Sequence, residues 1–237
     1  MKSPIDVVLN APVFSPIRLA ALSVVTKALA RRNIALTSAN TEPYREEAYR
    51  LIQQTRQETS MVLLDLEAYA IYDTARRTAK VPGDIAEVGV YKGGSARLIC
   101  QVKGERNLHL FDTFAGLPRC SEWDPDFQEG GFASSFDQVS RYLARFPEVH
   151  FHQGMFPETA KGLDHLRFSF VHLDVDLYQS TKDGLAWFYP RLNRGGILIS
   201  HDYSNAEGVR KAFDEFFSDK PECLMELAGT QVAFVKM

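Results

Sequence analysis

Two short segments concentrate acidic and imidazole side chains: Val171-His-Leu-Asp-Val-Asp-Leu-Tyr178 and Leu198-Ile-Ser-His-Asp-Tyr203. Each begins in an apolar run, so Asp174 and Asp202 stand at the carboxyl ends of two candidate strands. Open α/β sheets bind ligands in that crevice. Two carboxylates brought together from adjacent strands repel unless a cation or a proton sits between them. A divalent metal ion answers that repulsion, and oxygen ligands suit magnesium. Asp176, two residues beyond Asp174, is placed to reach an acceptor as a general base. The plainer alternative is that these aspartates cap the helices that follow, Asp176 before Leu-Tyr-Gln-Ser-Thr above all.

A second constellation lies upstream in Asp84-Ile-Ala-Glu-Val-Gly-Val-Tyr-Lys-Gly-Gly-Ser95. Glu87, Gly89, Tyr91, Gly93 and Ser95 fall at or beside a strand-to-helix turn, where glycine lets the backbone pass close to a ligand. The spacing is not the dinucleotide Gly-x-Gly-x-x-Gly. An acidic Glu87 would repel a pyrophosphate but suits S-adenosylmethionine, which carries an ammonium and a sulfonium. Asp112 and Thr113 end the next strand, where a carboxylate can accept both ribose hydroxyls; a turn cap is the alternative for Asp112. Gly154 and Met155, after a third strand, would lie along the adenine, and Asp174 would close the cofactor site.

These residues need a sheet to align them. Short apolar runs over 85–90, 108–112, 149–152, 170–174 and 197–200 alternate with helical patterns over 95–102, 136–146, 181–189 and 206–217. Apolar runs of that length, each followed by a helix, predict buried parallel strands in a doubly wound α/β sheet. The tail differs: 223–227 and 231–236 flank Ala228-Gly229-Thr230 and predict a terminal antiparallel hairpin. Five parallel strands closed by a reversed pair is the class I methyltransferase, Rossmann-like sheet. Residues 1–80 read as helical, over 17–30, 43–57 and 60–79, up to the breaker Pro82-Gly83. That divides the chain into an N-terminal helical region, 1–80, and a cofactor-binding domain, 81–237. Residues 115–135, with Pro118, Trp123, Phe127 and Phe132 among four acidic residues, form a long loop, which is either a substrate cover or a surface excursion.

The chain has 237 residues, 45% hydrophobic and 24% charged, with a net charge of −3. Such a composition supports a sizeable core and gives no reason to expect a nucleic-acid partner. Cys100, Cys120 and Cys223 are far apart, without metal-ligand spacing, and read as reduced thiols. No secretory h-region and no apolar span of about 20 residues is present. A cytoplasmic protein without membrane contact is expected.

The ordered motifs VPGDIAEVGVYKGGSA, LFDTFAGLP, HQGMFPET, HLDVDLYQST and YPRLNRGGILISHDY resemble the macrocin and novobiocic-acid type O-methyltransferases from Tyr69 to about Phe217. The resemblance implies a class I fold and S-adenosylmethionine as methyl donor. It also implies a usually magnesium-dependent transfer to a hydroxylated small molecule, a sugar or an aromatic ring. By position, Asp174 becomes a metal ligand, Asp176 the base, and His201 with Asp202 the remaining ligands. N-terminal helices in such enzymes contribute dimer contacts and part of the substrate pocket, so a homodimer is expected.

One departure matters. The family has Asp-Asp-Tyr where this chain has His201-Asp202-Tyr203. Imidazole in place of a carboxylate disfavours magnesium and suits manganese, iron or zinc. Three outcomes stay open: a softer ion on Asp174, His201 and Asp202; magnesium with fewer protein ligands; or no metal, with His201 as the general base. Two rivals to the methyltransferase remain, a NAD-dependent oxidoreductase on the same sheet and a non-catalytic cofactor-binding or dimerisation module.

Overall fold

The structure, a computed structural model, describes residues 43–237 and, ahead of them, residues 15–17, 20, 21, 23 and 24. The helix expected over 17–30 thus lies largely outside the described residues. The chain divides into two units, Met1–Glu46 and Glu47–Met237, and the described residues belong almost wholly to the second.

Within the second unit, the sheet is preceded by α1 (Pro43–Glu58), which begins just ahead of that unit, and by α2 (Asp65–Arg77). On α2, Ala68, Ile71, Tyr72 and Ala75 recur at helical spacing and form a buried face. Glu67, in the first turn, turns inward with them and accepts the Leu64 N–H through Oε2 at 2.6 Å.

The strands are β1 (Asp84–Val88), β2 (Leu108–Asp112), β3 (Val149–Gln153), β4 (Phe168–Leu173), β5 (Leu192–Ser200), β6 (Met225–Glu226) and β7 (Val232–Val235). They form one sheet in the order β3-β2-β1-β4-β5-β7-β6. The first five are parallel, and β7 runs antiparallel to both β5 and β6. The expected reversed tail is therefore present. Four helices connect or follow the strands: α3 (Gly94–Val102), α4 (Phe136–Leu143), α5 (Tyr178–Phe188) and α6 (Glu207–Phe217). Successive strand residues point to opposite faces. On one face Val88, Phe111, Val171 and Leu198 pack with Leu185, Phe188, Phe213 and Phe217 from α5 and α6. Each wholly buried ring there contributes about 1.5–3 kcal/mol.

The β1–β4 register sets Glu87 opposite His172, and the β4–β5 register sets Leu173 opposite Ser200. Asp174 and His201 therefore leave the sheet side by side, and the His201 N–H donates to the Leu173 carbonyl at 3.1 Å. The strand order reverses between β1 and β4, which opens a crevice at their carboxyl ends.

Several boundaries differ from the sequence expectation for identifiable reasons. β1 stops at Val88: after the Gly89 N–H donates to the Phe111 carbonyl at 2.9 Å, the Asp112 carboxylate captures the following N–H groups, those of Val90 at 2.7 Å and Tyr91 at 2.8 Å. α5 begins at Tyr178, three residues early, because Asp124 Oδ1 accepts the Tyr178 N–H at 2.8 Å. The cap that the sequence offered to Asp176 thus comes from Asp124 in the distant 115–135 loop.

Candidate active site

A cavity of about 370 Å³ opens at the carboxyl ends of β1, β2, β4 and β5, within the size range of small-molecule sites. Its walls come from these four strand ends and from the turn after β3, from Ser60–Leu63 between α1 and α2, and from Leu117, Pro118, Phe127 and Phe132 of the long loop. That loop is fastened down. Leu117 and Gly130–Gly131 exchange backbone hydrogen bonds of 2.8 and 2.9 Å. Ser134 Oγ donates to the Tyr91 carbonyl at 2.7 Å, and Asp124 is 3% exposed.

At the β1 end, Gly89 has φ +86°, and a β-carbon there would overlap the Asp174 carbonyl oxygen. Its freedom serves the close approach of the β1 and β4 ends as much as any ligand. Asp112 accepts three backbone N–H groups, from Val90, Tyr91 and, through Oδ1 at 2.6 Å, Phe114. A carboxylate has about four acceptor sites, so capping the turn leaves capacity for a hydroxyl. The cap and the ribose contact, alternatives in the sequence, are compatible here.

The acidic cluster faces this turn across the cavity. His201 Nδ1 lies 3.4 Å from Asp174 Oδ1 and 3.0 Å from Asp202 Oδ2. His201 Nε2 lies 3.2 Å from Glu67 Oε2. Burial opposes charge on the imidazole, but Asp174, Asp202 and Glu67 outweigh it and hold His201 protonated far above its ordinary range. Burial likewise opposes ionisation of Asp202 and Glu67. The hydrogen bonds and charge of His201 nevertheless bring both below the usual carboxylate range, helped by Thr230 and Leu64 at Glu67. Asp176 goes the other way. Burial, then Asp174 and Asp202, push it up to about 9, so it keeps a proton and shares it with Asp202.

One imidazolium among three carboxylates leaves the crevice negative, which suits a cation. Asp174, His201 and Asp202 each present a ligand atom, all within 4.8 Å of one another, and this is the one such group of three among the described residues. Ligand atoms at 2.0–2.6 Å from one ion lie at comparable separations, so the donor set fits a divalent metal.

Besides Phe132 of the long loop (φ 58°), four residues other than glycine adopt left-handed backbone after the strands that lead to the cavity: Tyr91 (φ 49°), Phe114 (φ 56°), Asp176 (φ 59°) and Asp202 (φ 64°). Each follows a different parallel strand, β1, β2, β4 and β5. Such conformations cost about 1–3 kcal/mol each and persist where surrounding bonds hold them.

Of the residues singled out in the sequence, Gly89, Tyr91, Ser95, Asp112, Thr113, Gly154, Met155, Asp174, Asp176, His201 and Asp202 all line the cavity. Glu87 does not. It points to the opposite face, wholly buried against His172, and burial raises its pKa. Gly93 also stands behind the wall, turning the chain into α3. Glu67 and Thr230 were not anticipated. Glu67 reads in the sequence as an ordinary first-turn acid, and nothing local signals that the tail hairpin covers it.

A family profile described as macrocin-O-methyltransferase (TylF) matches residues 63–234. A tetracenomycin-type relative from Streptomyces olivaceus, 8-demethyl-8-(2,3-dimethoxy-alpha-L-rhamnosyl)-tetracenomycin-C 4'-O-methyltransferase, is 33% identical over 141 residues, 52% of this chain and 54% of that protein. Demethyldecarbamoylnovobiocin O-methyltransferase from Streptomyces niveus is 28% identical over 160 residues, 57% of this chain and 58% of its own. The chain thus spans a little over half the length of these curated relatives. Among solved structures, the O-methyltransferase NovP superposes with a TM-score of 0.69 at 24% identity, covering 92% of this chain and 99% of that one. The calicheamicin methyltransferase CalS11 gives 0.63 at 18% identity, covering 85% and 98%. These likenesses establish the fold.

Proposed function

We propose, starting from the fact that this chain belongs to the macrocin-O-methyltransferase family, that it moves the methyl group of S-adenosylmethionine to a hydroxyl of a small molecule, a sugar or aromatic moiety of a secondary metabolite. The observation carrying this reading is the meeting of two surfaces in one cavity. Asp112, Thr113, Gly154 and Met155 form a wall suited to a nucleoside, and Asp174, Asp176, His201 and Asp202 form the reacting end. The curated relatives are named as O-methyltransferases of such metabolites.

In the transfer, the acceptor oxygen bonds the methyl carbon as the carbon–sulfur bond breaks, and the hydroxyl proton leaves. Asp112 offers its remaining acceptor site to a ribose hydroxyl, and Asp174 lends negative charge to the end where ammonium and sulfonium would lie. Leu117, Phe127 and Phe132 restrict water and orient the acceptor, whose oxygen must come within about 3–3.5 Å of the methyl carbon.

The Asp174, His201 and Asp202 set would hold a divalent ion, manganese or another ion that accepts nitrogen in preference to magnesium. When bound, such an ion supplies the charge that lowers an acceptor hydroxyl's pKa. Asp176 takes the proton. It must be ionised to do so, and positive charge at the neighbouring cluster opposes the burial and the carboxylate repulsion that otherwise keep it protonated. His201 is assigned as a ligand rather than the base: the proton on Nδ1 would give way to an ion held by Asp174 and Asp202, and with Nε2 facing Glu67 at 3.2 Å neither ring nitrogen is left to accept a proton from substrate.

Within the region 1–80, residues 60–63 are assigned to the acceptor side, supported by their place in the cavity wall; dimer contact is assigned to the region from the family resemblance alone. A cytoplasmic setting fits three free cysteines, and no helix among the described residues is long and apolar enough to cross a membrane.

Calorimetric titration with S-adenosylmethionine and its demethylated product tests the cofactor assignment, and absence of affinity for both rejects it. A double Asp174→Ala, Asp202→Ala variant should lose transfer to a panel of hydroxylated sugars and phenols; full retention rejects the site. A monomer in sedimentation equilibrium of the full chain removes the dimer assignment.

A further inference from the structure

Every acceptor site of the Glu67 carboxylate is committed. Oε2 accepts the Leu64 N–H at 2.6 Å and faces His201 Nε2 at 3.2 Å. Oε1 accepts the Thr230 N–H at 2.7 Å and the Thr230 hydroxyl at 3.0 Å. Gly229, with φ +91°, makes the last pair feasible, since a β-carbon there would collide with Oε1. Glu67 is 1% exposed, so water does not substitute for any of these partners.

Two of the four donors are backbone N–H groups, which donate and never accept. The oxygen that faces His201 is also bound to one of them, so it stays an acceptor. His201 Nε2 must therefore carry the proton. An ion that displaces one proton of the imidazolium leaves a neutral ring with one N–H and one lone pair, and with Nε2 committed to Glu67 the lone pair falls on Nδ1. That atom lies between Asp174 Oδ1 and Asp202 Oδ2. A carboxylate behind a histidine is the usual device for fixing the tautomer of a metal-binding imidazole.

We infer that Glu67 is a positioning residue: it holds the His201 proton on Nε2, turns Nδ1 toward the cation, and so biases the site toward ions that accept nitrogen over magnesium. This rests on the assignment of a divalent ion to Asp174, His201 and Asp202. The hairpin residue Thr230 belongs to the same device, because it fixes the far oxygen of Glu67. The metal preference of the site is thereby tied to α2 and to the C-terminal hairpin, both outside the segments that supply the ligands.

Glu67→Gln is the diagnostic variant. An amide must present its NH2 either to the Leu64 N–H and His201 or to the Thr230 N–H. The first arrangement reverses the imidazole tautomer, and the second sets donor against donor. Manganese(II) is titrated into metal-free wild-type and variant proteins, followed by electron paramagnetic resonance with spin-echo detection of coupled nitrogen. The wild type should bind manganese with imidazole nitrogen modulation. The variant should lose that modulation and about 10–100-fold in manganese affinity, the range typical of outer-shell partners, with a smaller change for magnesium.

Zinc-loaded wild-type protein provides a measurement that needs no substitution, since nitrogen NMR should find His201 protonated on Nε2 and metal-bound through Nδ1. Manganese bound by the wild type without nitrogen modulation overturns the inference and leaves the metal site standing. So does an unchanged nitrogen signal and affinity in folded Glu67→Gln and Glu67→Leu proteins, the second of which has no oxygen left to hold the Nε2 proton. No manganese, zinc or magnesium binding by the wild type overturns the metal assignment itself, and the inference with it.

Discussion

His172 and Glu87 meet inside the sheet, Nδ1 to Oε1 at 2.8 Å, with neither side chain reaching solvent. The second polar atom of each, Glu87 Oε2 and His172 Nε2, has no protein partner. Removing one member strands the other, and leaving a buried polar group unpaired this way costs about 1–3 kcal/mol. Glu87→Ala should therefore lower stability by that amount in urea denaturation. Glu87→Gln, which keeps a partner for His172, should cost about 1 kcal/mol. Because Glu87 stands behind the cavity wall, the Gln variant should bind S-adenosylmethionine nearly as well as the wild type. A large affinity loss by calorimetry would return Glu87 to the binding surface.

Asp112 ties the β1 turn to the β2 end through three backbone donors. Asp112→Asn puts an NH2 against at least one of those N–H groups. Hydrogen bonds to charged groups are worth about 1.5–3 kcal/mol, so affinity for the demethylated cofactor should fall about 10–100-fold. Isothermal titration measures it, and an unchanged value would mean that the turn keeps its shape without the carboxylate.

Asp124 joins the long loop to the start of α5, accepting the Tyr178 N–H through Oδ1 and the Ser121 N–H through Oδ2 at 2.9 Å. Loss of a cap costs about 0.5–2 kcal/mol. Asp124→Ala should lower stability by that much and raise the acceptor KM more than the cofactor KM, because the loop lines the acceptor side. Steady-state kinetics with each substrate varied separates the two.

Acid stability should follow a histidine cluster on β2 and β3. His109 Nδ1 and His152 Nε2 lie 3.0 Å apart, with His109 Nε2 3.4 Å from Asp84 and its ring stacked on His150. Burial, then neighbouring imidazoles, lower the His152 pKa to about 4. Burial also lowers that of His109, against the opposing pull of Asp84. Between the unfolded value near 6.5 and these folded values, the unfolded chain binds more protons, so stability is full above about pH 6.5 and falls as pH drops toward 4. After allowance for partial exposure, the loss due to His152 should be about 1–3 kcal/mol. Denaturation curves across pH 4–7 measure it, and His152→Phe should flatten them.

What the sequence made legible follows from how local each signal is. The strands, the reversed tail and the carboxyl-end positions of Asp112, Asp174 and Asp202 are written in runs of apolar residues and the turns after them. The early start of α5 was not legible, because its cap, Asp124, lies 54 residues upstream. Glu67 and Thr230 are 163 residues apart and meet only when the hairpin closes over α2. Glu87 was misplaced for a simpler reason. Its position in a glycine-containing motif is visible, but which face of β1 it occupies depends on strand phase, and its partner His172 sits on another strand.

The left-handed residues Tyr91, Phe114, Asp176 and Asp202 give the crevice its form through main-chain geometry rather than through the side chains that floor it. Of the side chains at the mouth, Phe132 packs edge-on against the Tyr91 ring, whereas Val62 and Leu117 offer the cavity apolar surface alone. Exchanging the latter two should recut the contour offered to an acceptor while the reacting groups stay where they are. The molecule thus separates a fixed chemical frame from an interchangeable lining, and new acceptors are most readily admitted by altering the lining alone.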